Sequence, residues 1–158
     1  MLFRSEGVFK GETINTPSML AVEDQLDALK WAERIGGLPA LIARSEANLA
    51  AIEKWAARAG WVGFLAADKA IRSCTSICLT ITDPAVAKLD AEARAAVSKK
   101  LVAMLEAEKV AYDIDAYRDA PPGLRIWGGA TVETRDIEAL FPWLDWAYAQ
   151  AKPAAKAA

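Results

Sequence analysis

Histidine is absent from this 158-residue chain. That absence removes histidine general bases, Ser-His and Cys-His nucleophiles and most transition-metal sites at once. Cysteine is nearly absent, with Cys74 and Cys78 alone, too few for a structural zinc site. In one predicted strand they lie roughly 13 Å apart along the chain, beyond disulfide reach, and they read as buried thiols. No metal site is expected, and there is no glycine-rich phosphate loop or acidic calcium loop. No apolar run approaches the roughly 18 residues a membrane span needs, and Met1-Leu2-Phe3-Arg4-Ser5-Glu6 has no signal-peptide core. A soluble cytoplasmic protein is the expectation. Positive charge is not in excess either: 19 basic residues stand against 21 acidic ones, a net of −2, and the basic ones are scattered. Nucleic acid and anionic membrane are poor partners for such a surface.

What the chain has is apolar residues, 54% of the total. One folded unit is expected, and at this length it can bury roughly 70% of the surface its unfolded chain exposes. Residues 1–15 show no clean periodicity. Thr16-Pro17 reads as a helix start, Thr as N-cap and Pro in the first helical position, followed by the stripe Met19, Val22, Leu26, Leu29 towards Ile35. Gly36-Gly37 ends that helix. A second runs from about Pro39 to Ala59 with Leu41, Ile42, Leu49, Ile52, Trp55 and Ala56 on one side.

Beyond Gly60 the period shortens. Trp61 to Ala66 and Cys74 to Thr82 read as strands, the latter alternating Ile77, Leu79, Ile81 with Cys78 and Thr80. Asp83-Pro84 stops it. Asp90 can cap a helix to about Glu108 on the stripe Val97, Leu101, Met104, Leu105. Ala111 to Ala116 reads as a strand with Asp113 and Asp115 on a wet face. Pro121-Pro122-Gly123 breaks the chain before a strand around Arg125. Thr134 begins a last helix with Ile137, Leu140, Phe141, Leu144, Ala147 and Tyr148 inward, and Pro142 should kink it. The Ala/Lys tail from Lys152 frays. This order predicts an α+β fold: a small, largely antiparallel sheet with helices packed on one face.

The residue that stands out is Arg125, a full charge inside the apolar run Gly123-Leu124-Arg125-Ile126-Trp127-Gly128-Gly129. Such a charge needs an anion, either a carboxylate of this protein or one of a ligand. Alternation places Arg125 and Trp127 opposite Leu124 and Ile126, so helices over the latter pair leave Arg125 facing the other way. Asp113 or Asp115 could partner it in a surface ion pair. Arg118 lies across the Pro-Pro-Gly break and could converge on Arg125 to hold a ligand with two anionic groups, with Asp119 as a competing partner. The Asn15-Thr16-Pro17-Ser18 helix start could hold a phosphate, or could simply cap a helix.

The segments FKGETINTPSMLAVEDQLDALKW and AYRDAPPGLRIWGGATVETRDIEALFPWLDWA resemble the C-terminal part of phosphoserine aminotransferase, a pyridoxal-phosphate enzyme of the aspartate aminotransferase fold. The resemblance runs from about Phe9 to Ala149. It implies a homodimer that converts 3-phosphohydroxypyruvate and glutamate to O-phosphoserine and 2-oxoglutarate in serine biosynthesis. It also implies that Arg125 binds the substrate α-carboxylate, that Arg118 contributes to the substrate phosphate, and that Asn15 and Thr16 reach across the dimer to the cofactor phosphate. Tyr117 departs from the histidine found there in some members.

By the same resemblance the Schiff-base lysine, the acid at the pyridinium nitrogen and the ring-stacking aromatic belong to a preceding large domain, and Lys10 does not match the family lysine. The implied division is a lead-in at 1–15, the small domain at 16–151 and the tail at 152–158. No catalytic residue is expected in this chain, so the partner it implies is a large domain or subunit with that lysine. Met1 to Val8 resemble a shortened lead into the GETINTP motif, as an internal start, a split gene or a deliberate truncation would give. Two other functions are compatible with the residues: a non-catalytic module that binds an anionic amino acid, or a degenerate domain that acts through protein contacts.

Overall fold

The computed structural model describes residues 7, 10–13, 15–117 and 119–153. Two compact units make up the chain, Met1–Leu41 and Ile42–Ala158. In the first, helix α1 spans Met19–Arg34. Its N-cap is Ser18, whose hydroxyl accepts from the Ala21 N–H at 3.4 Å, so the helix begins later than the Thr16-Pro17 signal predicts. Both Thr-Pro and a serine can cap, and here the hydroxyl that reaches a free N–H is that of Ser18. No residue of α1 is buried, and Met19, Val22, Leu26 and Leu29 of its stripe are all exposed. Gly36 and Gly37 turn the chain in the left-handed region, at φ 114° and 70°, where glycine carries no steric penalty.

Helix α2, Gly37–Ala59, starts two residues before Pro39 and continues into the second unit, where Ser45, Asn48, Ile52, Trp55 and Ala56 are buried and Ile42 is exposed. Strand β1 (Val62–Phe64) follows, then a short 3₁₀ turn at Lys69–Ile71, strand β2 (Ser76–Ile81) and a one-turn helix α3 (Pro84–Ala87). Helix α3 is not predicted by the sequence pattern; Asp83 caps it by accepting from the Ala85 N–H at 2.8 Å. Helix α4 (Ala91–Ala107), capped by Asp90, strand β3 (Leu124–Trp127) and helix α5 (Thr134–Ala151) complete the unit. Helix α5 runs on through Pro142. Pro142 and Glu138 both sit on its exposed side, where water can take the carbonyl that proline leaves without a donor.

The sheet has the order β1-β2-β3, antiparallel throughout. Register decides its faces. Ile77 stands opposite Ile126 and Leu79 opposite Leu124, and all four join the buried cluster with Ile52 and Trp55 of α2, Leu101 and Leu105 of α4, and Ile137, Phe141 and Leu144 of α5. Helices α2, α4 and α5 therefore cover one face, as the sequence predicts. Cys78 opposite Arg125 and Ser76 opposite Trp127 form the other face. Cys74 lies before β2, not in it, and both thiols are free and half-buried, not buried. Among the described residues no helix is long and apolar enough to cross a membrane.

One edge of the core is aromatic. Trp55 stacks on Phe141 at 4.9 Å and Trp61 on Tyr148 at 4.2 Å, while the two indoles meet edge to face. Asp145 accepts from both indole N–H groups, at 2.7 Å from Trp61 and 3.3 Å from Trp55. The Tyr148 hydroxyl donates to Asp83 Oδ2 at 2.5 Å. That bond, with the Ala85 N–H, holds the Asp83 carboxyl below its ordinary value, whereas burial and then Asp83 push the Tyr148 hydroxyl well above its own. Asp83 therefore adds stability above the unfolded carboxylate value, and this is lost as pH falls through the lower folded value. Tyr148 adds stability below the unfolded tyrosine value of about 10, and this is lost as pH rises beyond it. Tyr148→Phe is expected to flatten both limbs of a urea-unfolding pH profile. Limbs of unchanged steepness would show that other groups set them.

Candidate functional site

Strand β3 is held close to β2 by the glycine that precedes it: a Cβ on Gly123 would lie 2.0 Å from the Leu79 carbonyl oxygen. Arg125 thus emerges on the helix-free face, with its own N–H donating to the Ile114 carbonyl at 2.8 Å. Its Nη2 donates to Asp113 Oδ2 at 3.2 Å. The Arg125 side chain is 31% exposed and that of Asp113 is 90% exposed. A single-pronged pair with so wet a carboxylate is worth at most about 1 kcal/mol. The guanidinium also sits 5.9 Å from the Tyr117 ring centroid. Among the described residues only Nη2 has a hydrogen-bond acceptor, so the remaining edge of the fork can take a bidentate anion. The alternative that Asp113 partners Arg125 is realised, and it leaves donors over.

Residues 111–116 do not form the predicted strand. Only a single bridge, Asp115 to Leu124, survives. Asp113 adopts the left-handed region at φ 52°, which breaks the period of two and turns Ile114 inward while Tyr112 stays exposed. Aspartate tolerates that conformation better than a β-branched residue does. The resulting bend and the sheet enclose a cavity of about 360 Å³ lined by Ser76, Tyr112, Asp113, Ile114, Arg125 and Trp127.

Sequence reasoning missed two residues that build this face. Arg44 Nε donates to the Ala130 carbonyl at 2.6 Å and its Nη2 to Glu133 at 2.6 Å, and this guanidinium holds the Glu133 carboxyl below its usual range. One helical turn on, Asn48 Nδ2 donates to the carbonyls of Gly128, Gly129 and Val132 at 3.0, 3.4 and 3.1 Å. Its Oδ1 accepts from the Thr134 hydroxyl at 2.7 Å. Together they clamp the segment that leaves β3. The available signal was an asparagine inside the apolar stripe of α2, next to Leu49 and before Ile52.

Asn15 and Thr16 are exposed and lie ahead of the Ser18 cap in the first unit, while Arg125 belongs to the second. Arg118 falls outside the described residues. The cavity at Arg125 offers a guanidinium to an anion and does not suit pyridoxal phosphate, because no lysine among the described residues lines it and the cofactor needs one for its Schiff base.

No family model matches the chain. Two solved phosphoserine aminotransferases superpose on 90% of it, covering 36% of their own chains: one from Bacillus circulans subsp. alkalophilus with a TM-score of 0.73 at 20% identity, and another with 0.71 at 16%. The fold, helices with a small three-stranded antiparallel sheet, is accordingly that of the matched part of these enzymes. At the level of sequence, the phosphoserine aminotransferases of Methanosarcina mazei and Methanosarcina barkeri are 55% and 54% identical over 141 residues, 89% of this chain. In both sequence and fold the chain is similar to the C-terminal portion of phosphoserine aminotransferases. It spans 35% of the length of those relatives, which are larger proteins.

Proposed function

We propose that this chain supplies the substrate-side half of a phosphoserine aminotransferase site, in an enzyme that converts 3-phosphohydroxypyruvate and glutamate to O-phosphoserine and 2-oxoglutarate. The observation that carries the reading is Arg125: a part-exposed guanidinium on the helix-free face, beside a cavity, with most of its fork unengaged. In this reading Arg125 binds the substrate α-carboxylate and Arg118 the substrate phosphate. Asn15 and Thr16 donate to the cofactor phosphate across a homodimer. Residues 16–151 act as the small domain, and the site is completed by a large domain or subunit with the lysine, in the cytoplasm. When bound, pyridoxal phosphate supplies the electron sink for exchanging the amino group. This chain orients the acid and supplies no proton-transfer lysine of its own.

The test is complementation. Mixed with pyridoxal phosphate and a polypeptide that carries the remaining portion of the Methanosarcina mazei relative, the chain is expected to give phosphoserine-forming activity that neither polypeptide shows alone. Arg125→Ala should lower kcat/KM in that mixture by about a hundredfold, the loss of one to two charge-assisted hydrogen bonds. A mixture of folded polypeptides with no activity, or activity indifferent to Arg125→Ala, sinks the proposal.

A further inference from the structure

Trp127 is an unusual residue to leave in water: the residue is 59% exposed, at a position where the strand could equally carry a polar side chain. It is nevertheless held in place. A Cβ on Gly129 would fall 2.7 Å from Trp127 Cζ2, 2.8 Å from Cε2 and 3.1 Å from Nε1, so the indole rests on the bare backbone of Gly129. That backbone is fixed in turn by Asn48, which donates to the carbonyls of Gly128 and Gly129. The strand places Trp127 two residues beyond Arg125 on the same face, roughly 6.6 Å along it, and both line the same cavity with the exposed Tyr112.

We infer that Trp127 is a specificity-determining residue for the acid held by Arg125: the indole is a preorganised apolar wall against which the short carbon chain of an α-amino or α-oxo acid lies while its carboxylate sits on the guanidinium. This rests on the Arg125 reading above. A rigid ring costs a ligand little ordering entropy, and covering its face removes apolar area that water now touches. Arginine alone would accept any small carboxylate. The wall discriminates by favouring acids with a carbon chain long enough to reach it.

Calorimetric titration with O-phospho-L-serine of the full 158-residue chain, mixed with the complementing polypeptide of the Methanosarcina mazei relative, separates the two ideas. Trp127→Ser should raise Kd about tenfold, the loss of apolar contact over part of one ring face. Trp127→Phe should keep most of the affinity. Gly129→Ala should weaken binding as Trp127→Ser does, because it pushes the ring off its seat without altering Arg125. Unfolding midpoints of the Trp127 variants should stay close to that of the parent, since the ring lies outside the core cluster. If Arg125→Ala abolishes binding while Trp127→Ser and Gly129→Ala leave Kd unchanged, the Trp127 inference is overturned, the Arg125 reading stands, and the indole belongs to a protein contact. If the parent chain does not bind, or Arg125→Ala binds as well as the parent, both are overturned.

Discussion

Asn48→Ala is expected to lower the unfolding free energy by roughly 2–4 kcal/mol, the cost of leaving several buried polar groups without partners. Asn48 is fully buried, and its amide is shared among three carbonyls and one hydroxyl. The Gly129 carbonyl keeps a second donor in the Val132 N–H at 2.9 Å. The Gly128 and Val132 carbonyls and the Thr134 hydroxyl are the groups that lose most. Asn48→Leu, close in volume, should cost nearly as much, which separates the polar loss from a cavity. Urea unfolding followed by far-ultraviolet circular dichroism measures both. A change below about 0.5 kcal/mol for either variant, the range of ordinary surface substitutions, would show that water replaces the amide. Because the clamp seats Gly129, the same variants should also weaken ligand binding through a displaced Trp127.

Gly123→Ala is expected to be about as damaging, by roughly 1–3 kcal/mol or more, for a different reason. The added methyl would meet backbone, with the Leu79 oxygen at 2.0 Å, the Leu79 carbonyl carbon at 3.2 Å and Thr80 Cα at 3.4 Å, so no side chain can turn aside. The strands must part where Leu79 faces Leu124. Arg125 then moves with β3, so affinity for an anionic ligand falls together with stability. Gly63→Ala is the matched control. Its Cβ would meet the Thr82 methyl at 2.9 Å, a side-chain end that can rotate, and its cost should be well under half. Equal effects at the two glycines would mean that β2 and β3 separate easily.

The two variants act at the two ends of β3, one through the glycine that admits the strand and one through the asparagine that fixes its exit. Arg125 itself contributes little to the fold, since its ion pair is single-pronged and its partner exposed. Arg125→Ala should therefore leave the unfolding midpoint nearly unchanged while removing ligand binding.

Much of the fold was legible in the chain. The period-two run Ile77-Cys78-Leu79-Thr80-Ile81 sets which side of β2 is buried, and Leu124 and Ile126 against Arg125 and Trp127 set the same for β3. Those alternations alone put the arginine on the face the helices leave open. Helix α4 with its Asp90 cap and the start of α5 at Thr134 were also readable, because caps and 3.6-residue stripes are local features. Local signals failed where two of them competed. Thr16-Pro17 and Ser18 both offer a helix start, and the hydrogen bond to the Ala21 N–H chose the serine. The alternation from Ala111 to Ala116 promised a strand, and one left-handed residue, Asp113, undid it.

By itself, then, the sequence determined the α+β class, the facing of Arg125 and the family motifs, all of which depend on residues close together along the chain. Tertiary structure alone decided that Asp113 takes one prong of the guanidinium and leaves the others. It also decided that Asn48, eighty residues upstream of Gly128, holds the end of β3, and that Trp127 is seated on Gly129. Those are contacts across the sheet, across the helix layer and through a glycine's missing side chain. No periodicity encodes them, because they depend on which backbone atoms come within hydrogen-bond or van der Waals distance only after the strands and helices have packed.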